Sequence, residues 1–195
     1  MALPDLRSDG VHLADLRKWY EDMDLLADEF VSVFEAVHGY PPGEHTVCRV
    51  PAGEGPGLVE ALARQGVAGP LLEYYGHLGA VELPDLGNGI WIDDASSLIA
   101  QVAAGNYPNL LMGVVDDAVS VFATDGGGGM YAVSHTSGCV YHLSAGSLTG
   151  STFELEESGC STAAEDLGSF LGRLHASLTA AVDAQHAALR VAHGR

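Results

Sequence analysis

Basic residues are scarce in this chain. Lys18 is its only lysine, and eight Lys and Arg together face 26 Asp and Glu, a formal charge of −18 with histidine neutral. Such a surface repels phosphate backbones and anionic membranes, which argues against nucleic-acid and membrane partners. It attracts basic partners and speeds encounter with them; the plainer reading of the charge is solubility alone. Cysteine is also sparse. Cys48, Cys139 and Cys160 are an odd set with no CxxC spacing, so free thiols in a reducing cytoplasm are the expectation. The opening residues, MALPDLRSDG, lack the basic stretch and apolar run of a signal peptide. No apolar run reaches the roughly 20 residues of a membrane span, and no lipidation motif ends the chain.

What remains is a globular composition. Hydrophobic residues make up 47% and charged residues 17% of 195 residues, enough for one domain with an extension. A domain of this size removes roughly 70% of its unfolded surface from water. The spacing predicts a long amphipathic helix from about His12 to His38. Leu13, Leu16, Trp19 or Tyr20, Met23, Leu26, Phe30, Val33 or Phe34, and Val37 form its apolar stripe. Ser8 and Asp9 are available as N-caps, and Gly39 followed by Pro41-Pro42-Gly43 stops it. Its outer face carries Asp15, Glu21, Asp22, Asp24, Asp28, Glu29 and Glu35. This face reads either as a solvated surface or as a docking surface for a basic partner.

Pro41 to Gly57 reads as a Pro/Gly linker with a short strand-like piece at 46–50. The expected organisation is therefore an acidic helix plus linker over 1–57, an α+β domain over 58–182, and an Ala-rich tail over 183–195. Within the domain, helices are expected at about 58–65, 71–77 and 95–104. The first follows the linker, and Pro70 sits in the first turn of the second. Two short strands flank a turn at Gly87-Asn88-Gly89. Further strands are expected at 118–123, 130–134 and 139–143, with hairpin-length connections that call for antiparallel pairing. A closing helix is expected over 162–189, with Ser161 or Thr162 and Glu165 as a capping box.

Motifs for chemistry fail on context. Asp125 to Gly129, DGGGG, lacks the Lys-Ser/Thr of a phosphate loop and leads into a strand; a tight hairpin with positive φ fits better. The nine histidines show no HExxH and no zinc-finger spacing, so neither metal nor cofactor is implied. Asp93-Asp94 and Asp116-Asp117 are paired carboxylates, but adjacent strand residues face opposite ways, and solvated turns are the expectation. No GxSxG occurs.

Four ordered segments carry a resemblance. LLEYYGHLGAVELPDLGNGIWI (71–92), VSVFATDGGGGMYAV (119–133), SGCVYHL (137–143) and AEDLGSFLGRLHASL (164–178) resemble, in order and spacing, the SUKH superfamily, which includes the Smi/Knr-type proteins. The residues that match its motifs are Leu83, Pro84, Gly87, Asn88, Gly89, Phe122, Asp125, Gly126, Gly127, Gly128, Val140 and Tyr141. The resemblance spans about two thirds of the chain, from about Leu58 to Val182. Tyr74-Tyr75-Gly76-His77 departs from the commoner pattern before the first strand. The resemblance implies an α+β fold, a mainly antiparallel sheet flanked by helices, and no catalytic residue. It implies a cytoplasmic immunity protein that binds and occludes a toxin, often a nuclease. The alternatives are a Smi/Knr-type regulatory scaffold and an enzyme whose site carries no familiar motif. A toxin that holds phosphates is basic, so the carboxylates Asp22, Asp28, Glu29, Asp93, Asp94, Asp116 and Asp117 are the expected docking residues.

Overall fold

The computed structural model describes residues 15–193. Five helices and ten strands alternate as α1 (Leu16–His38), β1 (Thr46–Arg49), α2 (Gly55–Arg64), α3 (Pro70–Tyr75), β2 (Leu78–Leu83), β3 (Ile90–Ile92), α4 (Ala95–Ala103), β4 (Leu110–Met112), β5 (Asp117–Asp125), β6 (Met130–Ser134), β7 (Val140–Leu143), β8 (Gly146–Thr149), β9 (Thr152–Leu155), β10 (Cys160–Ala164) and α5 (Leu167–His193). This is the α+β class that the periodicities call for.

Leu16, Trp19, Met23, Ala27, Phe30 and Phe34 form the buried stripe of α1, the three- and four-residue spacing of an amphipathic helix. Gly39 at φ +80 takes the left-handed C-cap, its N–H donating to the Glu35 carbonyl. The helix start expected at His12, and the caps Ser8 and Asp9, lie outside the described residues. α1 packs along α5 and against β1. The indole N–H of Trp19 donates to the Leu171 carbonyl at 3.0 Å, a buried bond between the two long helices.

The strands pair in the order β1-β2-β3-β5-β4-β9-β8, and β6, β7 and β10 extend from β5 on a branch. Among the described strands only β4–β9 is parallel; the short connections of β2–β3, β5–β6, β6–β7 and β8–β9 give antiparallel ladders, as their length demands. The β5–β6 register shifts between Val121 and Ala123, a bulge that bends the strand. Val121, Phe122 and Ala123 are all buried there.

Several segments differ from the sequence expectation. The Pro/Gly stretch contains β1, which pairs with β2 through Thr46↔Glu82 and Val47↔Val81, so packing runs across residue 57. One buried cluster extends from Leu16 to Val182. Residues 160–164 form β10 against β7, not the start of the closing helix. That helix begins at Leu167, where Asp166 Oδ1 accepts from Ser169 N at 2.6 Å; Asp166, not Ser161 or Thr162, supplies the cap. The Ala-rich residues past 183 continue α5, and Gln185 is buried against the end of α1.

Candidate functional site

The motif loops at 83–89 and 125–129 meet at one end of the sheet. β5 closes on Asp125, whose Oδ1 accepts from Gly127 N at 2.8 Å and Gly129 N at 2.9 Å. Its Oδ2 lies 2.8 Å from His142 Nε2 on β7. Partial burial pushes this carboxyl upward. The bonds from Gly129, His142 and Gly127 outweigh it and hold the group below its ordinary value. Gly126 N donates to the Asn88 carbonyl at 3.1 Å, which ties the glycine hairpin to the β2–β3 turn. A Cβ on Gly126 would collide with that same oxygen. Gly128 has φ +83, and Gly87 and Gly89 have φ +61 and +81, so the positive φ expected in the DGGGG hairpin is present.

The other motif residues build the core beside this corner. Leu83, Phe122 and Val140 are buried, and Phe122 meets Phe170 of α5 edge-on at 5.2 Å. Pro84 and Asp85 anchor the chain after α1: Asp85 Oδ2 accepts from Gly43 N at 2.7 Å and lies 3.0 Å from His45 Nε2. An open groove of about 510 Å³, bordered by Asn88, Asp125 and Tyr131 with Leu174 and Ser177 of α5, runs past the hairpin. These residues hold the fold together at this corner.

Of the two carboxylate pairs, Asp116 is the solvated loop residue the sequence suggests, and the other three are not. Asp94 caps α4, accepting from Ser96 N at 2.7 Å, Ser97 N at 3.0 Å and Ser97 Oγ at 2.8 Å. Asp93 accepts from the Tyr107 hydroxyl at 2.6 Å, and burial pushes its carboxyl above the usual range. Asp117 is buried at 8% exposure. It accepts from Ser134 Oγ, from Thr136 Oγ1 at 2.8 Å and from Tyr141 OH at 3.2 Å. Burial raises this carboxyl, and the three hydroxyls together bring it below its ordinary value. Asp116 is exposed and accepts only from Gly113 N at 3.1 Å. Of the four, Asp116 alone is exposed; strand alternation turns its neighbour inward.

The α1 carboxylates stand differently. Glu21, Asp28, Glu29 and Glu35 are exposed and Asp22 and Asp24 half-buried, all away from the stripe that faces α5. Lys18 pairs with Asp22 and Arg17 with Glu21 at the first turns, and Glu29 lies 2.7 Å from His186 of α5. Asp24, Asp28 and Glu35 have no ion-pair partner among the described residues. Leu25 stands in this field at 69% exposure. Sequence reasoning assigned Leu26 to the stripe and passed over Leu25. The signal was there: one residue is a 100° step on a helix, so the neighbour of a stripe residue points outward.

Chemistry of other kinds finds little support. Ser120 Oγ lies 2.8 Å from His135 Nε2, the spacing of a nucleophile and its base. Ser120 is buried, however, and no carboxylate among the described residues holds the other ring nitrogen. Among the described residues no three His, Cys, Asp or Glu are grouped to hold a metal, the three thiols are free, and no helix is long and apolar enough to cross a membrane. Comparison of the chain with protein-family models, with curated proteins and with solved structures returns no match.

Proposed function

We propose that this chain is a non-catalytic protein-binding domain of the SUKH kind. In this reading it is a cytoplasmic immunity protein that lays its acidic α1 face on a basic toxin domain and blocks the path of that toxin's substrate. The observation that carries the reading is the outer face of α1, where Asp24, Asp28 and Glu35 have no ion-pair partner among the described residues and Leu25 is exposed among them. Uncompensated carboxylates steer a basic partner and raise the encounter rate. An exposed apolar side chain ringed by polar groups matches the apolar centre and polar rim of an interface. The ordered motif segments and the antiparallel α+β fold support the same reading. Asp22 and Glu29 contribute from the edges of the face, already shared with Lys18 and His186. Asp116 is a remote accessory, and Asp93, Asp94 and Asp117 are structural.

A cell that expresses the partner toxin tests this directly. Co-expression of the wild-type chain should protect growth, and a chain with Asp24, Asp28 and Glu35 changed to Lys should fold and fail to protect. Equal protection by both would overturn the docking face. Turnover of an ester or phosphate substrate by the purified chain, lost in Ser120→Ala, would overturn the non-catalytic reading.

A further inference from the structure

Two of the chain's few cations meet at one concavity. A groove of about 500 Å³ opens between the first turn of α1, the end of β1 and the start of α2, bordered by Arg17, Arg49, His77 and the 51–55 loop. Among the described residues that line it none is a carboxylate; Glu54 flanks it in the loop and Glu21 holds one nitrogen of Arg17. Its backbone wall is fixed. Val50 N donates to the His77 carbonyl and Glu54 N to the Pro51 carbonyl, both at 3.1 Å. Gly53 turns the loop at φ +90. Gly55 sits so close to Gly76 that a Cβ would collide with its carbonyl oxygen.

The donors are held apart from one another and left free. The Arg49 guanidinium lies over the Tyr20 ring at 5.1 Å, which orients its plane without using its N–H groups. Arg49 has no ion-pair partner among the described residues. Among the described residues Arg17 gives only its Nε, to Glu21 at 2.9 Å, which leaves its two terminal nitrogens for another acceptor. His77 is exposed at the same rim. The ten-residue α2 starts there at Gly55 and adds the positive end of its dipole.

We propose that this groove binds a phosphate group, carried on a small phosphate monoester or free in solution. Donors from α1, β1 and the α3–β2 connection suit a tetrahedral group with several free oxygens, whereas one guanidinium satisfies a planar carboxylate. Concave walls concentrate the field of the two arginines locally against the negative charge of the rest of the molecule. The volume exceeds what phosphate fills and lies in the range of small-molecule sites.

Titration calorimetry of the full chain at matched ionic strength tests the site, with inorganic phosphate, a nucleoside 5′-monophosphate and acetate as probes. Phosphate and the monoester should each saturate one site, the monoester more tightly, and acetate should give no saturable heat. Saturation by the free ion alone would assign the source to inorganic phosphate. Arg49→Gln should weaken binding about tenfold or more at an unchanged melting temperature, and Arg17→Gln should weaken it in the same direction. Arg64→Gln, which touches only Glu60, should bind as wild type does. Absence of saturable binding by both phosphate probes, acetate binding as well as phosphate, or wild-type affinity in Arg49→Gln would overturn the proposal. None of these outcomes bears on the α1 docking face.

Discussion

Gly126 and Gly128 sit two residues apart in one hairpin under different constraints. Gly126 has an ordinary backbone but no room, because a Cβ would strike the Asn88 carbonyl. Gly128 has room on every side but a φ of +83. Gly126→Ala should therefore cost stability by displacing the β2–β3 turn, and Gly128→Val by backbone strain, each by roughly 1–3 kcal/mol. Chemical denaturation of both variants checks this; wild-type midpoints for both would contradict it. Asp117 permits a prediction in pH. Its carboxyl lies lower in the folded chain than its ordinary value because three hydroxyls hold the charged form, against the cost of burial. A group depressed on folding stabilises fully above its unfolded pKa of about 3.9. That contribution is lost as pH falls through the folded value. Asp117→Asn should lower stability near neutrality by about 2–3 kcal/mol and flatten the decline of stability below pH 4. Unfolding free energies of both proteins between neutral and acid pH measure it, and parallel curves would sink it. Asp93, raised by burial, has the opposite sign and favours the folded chain more as pH falls.

At the scale of elements, legibility followed the strength of the local signal. α1 could be read to its C-terminus because Leu16, Trp19, Met23, Phe30 and Phe34 keep helical spacing and Gly39 stops them. The β5–β6–β7 meander could be read because apolar runs alternate with glycine-bearing turns. Three strands left no such mark. β8, Gly-Ser-Leu-Thr, is exposed at every position, so no period of two is written into it. β4 is three residues long and depends on a parallel partner far along the chain, which local pattern cannot supply. β10 was hidden by its hydroxyls, since Ser161 and Thr162 ahead of Glu165 imitate a helix start while the real cap is Asp166. The candidate site shows the same division. The acidic face of α1 follows from helical periodicity, but Asp94 as a cap and Asp117 as a buried acceptor depend on hydroxyls brought by the fold. α1 packed along α5, with Trp19 bonded to Leu171, predicts that residues 15–43 are integral to the fold. A chain lacking them should lose its cooperative thermal transition, and a wild-type transition in that truncated chain would contradict this.

Taken as a whole, the molecule places charge of one sign around a tightly joined core, with a small basic groove as the local exception. The net charge of −18 acts at long range and is screened over about 8 Å at physiological salt. Contacts made by Leu25 are short-ranged and insensitive to salt. Encounter and retention should therefore respond to different variables. The most direct measurement is the association and dissociation rate constants of the wild-type chain with the protein it captures from its native cells, followed as ionic strength rises. This account predicts a basic partner whose association rate falls steeply with salt while dissociation changes little. The Asp24, Asp28 and Glu35 to Lys variant should start slower and lose most of the salt dependence, and Leu25→Ala should speed dissociation at an unchanged association rate. Salt-insensitive association, or an acidic partner bound equally well by the charge-reversed chain, would contradict it.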